Sequence, residues 1–202
     1  MFNHVFHLEH RETPIGRMMI VTDDQDRLRG ADWDDYEDRL RLLLRRHYGA
    51  NAIDWREATR PSAAARALEA YFGGDLRAIE TVPTATNGTD FQRAVWAALR
   101  QIPVGSTLSY GALAARLGRA TAMRAVGLAN GANPIPVVVP CHRVIGADGS
   151  LTGFGGGLER KRWLLAHEGV AIGDVFESMP AGRPAHPSPA LRPSRAERGN
   201  RA

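Results

Sequence analysis

The chain has one cysteine in 202 residues, Cys141. A single thiol excludes an intramolecular disulfide and every zinc site built on two or more thiolates. No apolar run approaches the ~18 residues needed to cross a bilayer. The start, Met1-Phe2-Asn3-His4, lacks the basic end and apolar stretch of a secretory signal. No segment repeats another. These absences predict a soluble, cytoplasmic protein with no membrane partner. What is present suits a packed core: 44% hydrophobic and 24% charged residues, near the globular average. The length fits one large domain or two small ones.

Charge is unevenly placed. Residues 1–80 carry 12 arginines against 15 acids, 81–176 carry 9 basic residues against 5 acids, and 177–202 carry 5 arginines against 2 glutamates. An acidic front and a basic back point toward a nucleic-acid surface, although arginine-rich composition is also common in soluble proteins without such a partner.

Strand signals at 5–8, 18–22 and 28–33 are separated by Thr13-Pro14-Ile15-Gly16 and Asp23-Asp24-Gln25-Asp26 turns. Leu40, Leu43, Leu44 and Tyr48 recur at helical spacing and predict a helix over 36–48. Pro61 opens an alanine-rich helix over 62–72 that stops at Gly73-Gly74. The linker-like 81–88 divides an N-terminal domain, 1–80, from a second one, 81–174. There Thr89 or Asp90 caps a helix over 91–102 and Ser109 caps one over 110–117. Gly118 then turns the chain, and Thr121 or its neighbour opens a helix over 122–129. Two short helices about a glycine turn outline a helix-turn-helix, a shape also common in proteins that bind no DNA. The fold class is α+β: a small N-terminal α/β domain followed by a mostly helical domain. Residues 175–202, rich in Pro, Ala, Ser and Arg from Pro180 on, predict a disordered basic tail.

The run from Asn133 to Ile145 carries the chemistry. Apolar Val137-Val138-Val139 predicts a buried segment, with Cys141 emerging beside the core. A lone cysteine usually acts as a small hydrophobe. A neighbouring base or cation changes that, because a free thiol, with a pKa of about 8.5, is mostly protonated at neutral pH. His142 adjoins Cys141, and Glu168 follows later in the chain. A carboxylate that orients a histidine that polarises a thiol is triad logic. Adjacent residues on a strand point apart, so His142 reaches Cys141 only through a turn or a bridging water. His4, His7 and His10 recur every three residues, which on a strand alternates their faces. They read as surface histidines, with no metal site and no cofactor.

Pro140-Cys141-His142-Arg143-Val144 resembles the active-site signature of the O6-alkylguanine-DNA alkyltransferases, also called methylated-DNA–protein-cysteine methyltransferases. Further blocks fall in the family's order and spacing over about 83–170. They are Phe91-Gln92-Arg93-Ala94-Val95-Trp96, Ser109-Tyr110-Gly111, Arg124-Ala125-Val126-Gly127, Gly153-Phe154-Gly155-Gly156-Gly157 and Trp163-Leu164-Leu165-Ala166-His167-Glu168-Gly169. The extent resembles the constitutive bacterial type.

The resemblance implies that Cys141 accepts the alkyl group of O6-methylguanine, and of O4-methylthymine, leaving an irreversible thioether, so that each molecule acts once. It implies His142 as a base acting through water, Glu168 as its orienter, Asn133 as the brace of the turn and Tyr110 as a donor to guanine N3. For Asn133 an ordinary Asx turn before Pro134 is equally compatible. The implied partner is double-stranded DNA carrying O6-alkylguanine, held in its minor groove by a monomer with the damaged base flipped out. Arg124 would fill the space the base leaves, unless it is a helix-surface arginine paired with a nearby acid. Ala122, Ala125 and Gly127 would allow close approach to the duplex, and they suit plain helix packing equally well. Val144 and Gly155 would offer backbone contacts to the base, and Phe154 would wall the pocket. Gly155 stands where other members carry serine, which leaves only its N–H for O6; Met123 stands where many carry alanine.

Three other classes compete. A non-catalytic lesion-binding relative carries another residue at the cysteine position, whereas Cys141 is present. A helix-turn-helix regulator that senses alkylation needs a four-cysteine zinc domain, which one cysteine cannot build. A cysteine hydrolase built on Cys141, His142 and Glu168 predicts multiple turnovers.

Overall fold

The computed structural model describes residues 4–171; the tail expected at 175–202 lies outside them. Strands β1 (His4–Arg11), β2 (Met18–Asp23), β3 (Leu28–Trp33) and β4 (Ile53–Glu57) form one sheet in the order β3-β2-β1-β4. β2 pairs antiparallel with both β1 and β3. β4 adds to β1 in parallel, a pairing that requires a crossover. That crossover is helix α1 (Glu37–Tyr48), whose Leu40, Leu44 and Tyr48 pack on Phe6, Met19, Val21 and Ile53. Because side chains alternate along a strand, Met18 and Ile20 face the other way into a second, larger core. Both faces of β2 are covered, and all six of its residues are buried.

The sequence signals place β1 to β3 and α1 within a few residues, but β4 is unanticipated. Ile53-Asp54-Trp55-Arg56-Glu57 is an edge strand in which only Ile53 is buried, so it carries too little apolar signal to read.

Helix α2 (Ala63–Phe72) starts where Ser62 accepts a bond from the Ala65 N–H. Helix α3 (Asp90–Arg100) opens on a capping box formed by Thr89 and Gln92. Ser109 caps α4 (Tyr110–Arg116) through the Ala112 N–H. Gly118, at a φ of 67°, then turns the chain into α5 (Met123–Gly131). This left-handed conformation is one that glycine adopts without steric cost. α5 has no side-chain cap: Ala122, not Thr121, stands at its start. A two-residue parallel pair, β5 (Leu108–Ser109) with β6 (Val144–Ile145), ties α4 to the cysteine segment. α6 (Leu158–His167) completes the described chain.

One apolar core crosses the boundary expected at residue 80. Met18, Trp33, Leu68 and Tyr71 belong to the same cluster as Val95, Leu99, Val126, Val144 and Leu164. The N-terminal sheet and the C-terminal helices are thus packed on each other, which places α2 against the end of α6.

The early histidines differ from the expectation of plain surface residues. His7 and His10 are half-buried and paired with Asp24 at 2.8 Å and Asp34 at 3.0 Å, and His4 packs edge-on against Tyr48. Among the described residues, no His/Cys/Asp/Glu group could hold a metal ion, and no helix is long and apolar enough to cross a membrane.

Candidate active site

Residues 133–140 connect α5 to Cys141 without regular structure, so their backbone groups need other partners. Asn133 supplies two. Its Oδ1 accepts from the Ile135 N–H at 3.0 Å and its Nδ2 donates to the Val139 carbonyl at 2.8 Å, which clamps both ends of the loop. The Asx turn is present, and the brace is added to it. From β3, the Ala31 N–H donates to the Pro134 carbonyl. Val137, fully buried, is held at a φ of 72°. A β-branched residue in that region is strained by about 1–3 kcal/mol and persists only where its surroundings over-determine it.

Cys141 opens a single 3-10 turn, Cys141–Arg143. The turn resolves the geometric difficulty of adjacent Cys and His: their side chains are no longer constrained to opposite faces of a strand. Cys141 is 4% exposed and His142 fully buried. Burial pushes the Cys141 thiol up, and the Asn133 amide, Arg39 and Lys161 oppose this only in part. The resting sulfur is therefore a thiol, and chemistry at it needs a base.

His142, the next residue, is tied to a carboxylate. Its Nε2 lies 2.9 Å from Glu168 Oε1. Burial alone would raise the Glu168 pKa, but bonds from His142 and Arg143 outweigh it and hold the carboxyl well below the usual range. An ionised carboxylate accepts only, so the imidazole proton sits on Nε2 and Nδ1 carries the lone pair. Burial lowers the His142 pKa, Glu168 opposes that, and Arg143 and Lys161 reinforce it, so the ring is neutral near pH 7. Nδ1 is buried and has no hydrogen-bond partner among the described residues.

Glu168, just past the end of α6, is held by more than His142. Arg143 donates to it bidentately, Nε to Oε2 and Nη2 to Oε1, both at 2.8 Å, and its Nη1 reaches the Ile102 carbonyl. The Tyr71 hydroxyl donates to Oε1, also at 2.8 Å. The edge of the Phe154 ring packs on His142.

Three more charged groups frame the site, none of them assigned from the sequence. Lys161, fully buried, donates to the Val144 and Thr152 carbonyls at 2.6 and 2.7 Å, and burial lowers its pKa to about 8. A sequence signal for it exists: Lys161 is the sole lysine among 26 basic residues. Arg39, from α1, bonds to buried Asp32 and to the Gly131 and Asn133 carbonyls. A Cβ on Gly155 would lie 2.4 Å from the Arg39 guanidinium. A side chain at 155 would therefore have to displace the Arg39 guanidinium, the far end of a flexible side chain.

The predicted residues gather in two adjoining groups. In the first, Asn133 acts on the Cys141 thiol, Glu168 and Phe154 contact His142, and Val144 follows the Cys141–Arg143 turn in the core. Tyr110, half-buried at the start of α4, points its hydroxyl at the Thr152 carbonyl, 3.3 Å away. Ala122, Arg124, Ala125 and Gly127 all lie at the start of α5 or along it, and Gly127 passes the Tyr110 ring. Arg124 and Ala125 are exposed, and Arg124 makes no ion pair among the described residues. Beside them, Met123 and Leu128 are 52% and 77% exposed. Of the three small residues expected to permit close approach, Ala125 is exposed and Ala122 and Gly127 are half-buried, while Val126 and Ala129 on the same helix fill the core.

Residues 90–170 match the family described as "6-O-methylguanine DNA methyltransferase, DNA binding domain". The chain is 55% identical over 160 residues to the methylated-DNA–protein-cysteine methyltransferase of Salmonella typhimurium, covering 79% of this chain and 94% of that one. It is 42% identical over 159 residues to the protein of the same name from Methanosarcina acetivorans, covering 78% and 95%. Among solved structures it resembles Mycobacterium tuberculosis OGT in complex with DNA, with a TM-score of 0.65, 39% identity, and 82% and 93% of the two chains covered. Sequence identity over nearly the whole length of these relatives, carried on the same fold, places the chain in the family of methylated-DNA–protein-cysteine methyltransferases.

Proposed function

We propose that this protein repairs double-stranded DNA by moving the alkyl group of O6-methylguanine, and of O4-methylthymine, to its own Cys141, once per molecule. The observation that carries the reading is that the sole cysteine, buried and with its thiol pKa raised, is followed directly by a buried histidine whose Nδ1 has no hydrogen-bond partner among the described residues. His142 Nδ1 takes the thiol proton through one bridging water. The sulfur attacks the alkyl carbon, the S–C bond forms as the C–O6 bond breaks, and the proton ends on the departing guanine. Tyr110 donates to guanine N3 and so stabilises the charge that develops on the leaving base. Glu168 fixes the imidazole tautomer, and Asn133 holds the loop that presents the sulfur. The Val144 and Gly155 backbones and the Phe154 ring receive the base.

A base in a duplex cannot reach a buried sulfur, so it is flipped out of the stack. α4 and α5 act as a helix-turn-helix in the minor groove, with Ala122, Ala125 and Gly127 permitting close approach and Arg124 occupying the gap. The protein works as a cytoplasmic monomer, the N-terminal 1–80 supporting the 81–174 unit that meets DNA. The hydrolase reading differs in stoichiometry. Incubation with excess O6-methylguanine duplex, followed by intact mass, is expected to add about one CH₂ to the peptide containing Cys141 and to saturate at one per chain. Continued turnover would overturn the proposal.

Arg124 separates flipping from general attraction. A phosphate-neutralising arginine contributes alike to damaged and undamaged DNA, and its loss lowers the salt slope by about one. A stack-filling arginine offsets unstacking of order a few kcal/mol. Arg124→Ala is therefore expected to slow transfer from duplex DNA by ~10²-fold or more while leaving transfer from free O6-benzylguanine near wild type. Equal losses on both substrates would remove Arg124 from the mechanism.

A further inference from the structure

We infer that Tyr71, on α2, is a positioning residue for alkyl transfer, its hydroxyl setting how strongly Glu168 draws on His142. The inference rests on the assignment of His142 as the base.

Among the described residues, Glu168 Oε1 receives three donors, Tyr71 Oη at 2.8 Å, Arg143 Nη2 at 2.8 Å and His142 Nε2 at 2.9 Å, whereas Oε2 receives only Arg143 Nε. Tyr71 and His142 thus share one oxygen, and electron density committed to one donor is denied to the other. The tyrosine is held from its own side: its ring lies 5.3 Å from Phe72 and 5.1 Å from His167, both edge-on, and its carbonyl bonds to His167 Nε2 at 2.8 Å. It is fully buried, and burial and the Glu168 charge keep the phenol protonated, so it acts only as a donor. The titratable groups around His142 are then Cys141 and Arg143 on its own turn, Lys161 from α6, Glu168 just past its end, and Tyr71 through Glu168.

The sign follows. Removing the Tyr71 hydroxyl leaves Glu168 a stronger acceptor for His142, which favours the imidazolium and raises the pH at which His142 loses its proton. The acid limb of the transfer rate should move to higher pH. A packing role would lower thermal stability and leave the limb in place.

The test is single-turnover alkylation of the full chain by free O6-benzylguanine across pH, which needs no DNA. Tyr71→Phe is expected to shift the acid limb upward by about half a unit, an approximately threefold slower reaction on that limb. A ring-fluorinated tyrosine placed at 71, a stronger donor of the same shape, is expected to shift it downward, and it carries the test if Tyr71→Phe does not fold. Superimposed limbs, or a downward shift in Tyr71→Phe, would overturn the inference alone. A wild-type profile without an acid limb would overturn the His142 assignment and the inference with it.

Discussion

A Cys141→Ser protein folds, retains the lesion duplex and transfers no methyl group. Serine fits the space of the cysteine and can keep a contact with the Asn133 amide. What it cannot do is ionise. His142 Nδ1 is matched to a thiol, with an ordinary pKa of about 8.5, and burial has already raised Cys141 above its usual range. A hydroxyl lies far beyond the reach of a neutral imidazole in the absence of stronger activation, and oxygen is a harder, poorer nucleophile toward an alkyl carbon. Gel-shift titration and transfer of labelled methyl on the same preparation separate the two properties. Methyl found on the serine variant would remove Cys141 as acceptor.

Glu168→Ala has the largest expected effect on stability, and it also affects rate. The substitution leaves the Arg143 guanidinium, 5% exposed, without its bidentate partner, and strands the Tyr71 hydroxyl and His142 Nε2. Breaking a buried ion pair from one side costs about 3–5 kcal/mol. For a chain of this size the midpoint of thermal unfolding should fall by roughly 10 °C. Below that temperature transfer should slow by ~10²-fold or more, since His142 loses the tautomer that frees Nδ1. The pH dependence has a definite sign. The folded-state pKa of Glu168 lies below its ordinary 4.5, so its contribution is present above that value and is lost as pH falls toward the folded pKa. Buried Asp32, raised to about 6 by burial against the pull of Arg39, acts in the opposite sense. Its contribution is present below 3.8 and is lost as pH rises through 6. Wild type and Glu168→Ala with equal melting midpoints at pH 7 would refute the account of the buried network.

Much of the chain was legible because its signals are local. Thr89 and Ser109 cap the helices they were expected to cap, since a short hydroxyl side chain bonds an amide only two or three residues away; Ser62, expected inside its helix, is the cap of that helix. The strand at 28–33 falls where it was expected, after the Asp23-Asp24-Gln25-Asp26 turn. The motif at 140–144 announced the chemistry because it is one continuous run, Pro140-Cys141-His142-Arg143-Val144, that resembles the family's signature. Where the pattern was weak the reading failed. β4 is a polar edge strand, and α6 was not anticipated as a helix because Lys161, a charge, occupies one of its buried positions.

By itself, the sequence determined that one thiol carries the reaction, that no second thiol can restore it, and which residue types stand beside it. The tertiary structure alone decided their protonation and their partners. Tyr71 lies in a stretch that reads only as an alanine-rich helix, yet its hydroxyl meets Glu168 97 residues later. Arg39 reaches Asn133 across 94 residues, and its guanidinium lies where a side chain at Gly155 would start. Arg143 belonged to the motif without a task until the end of α6 brought a carboxylate to it. The physical reason is common to all of these. Charge state and hydrogen-bond partnership depend on burial and on which atoms share a few ångströms of low-dielectric space. No local pattern along a chain records that distance.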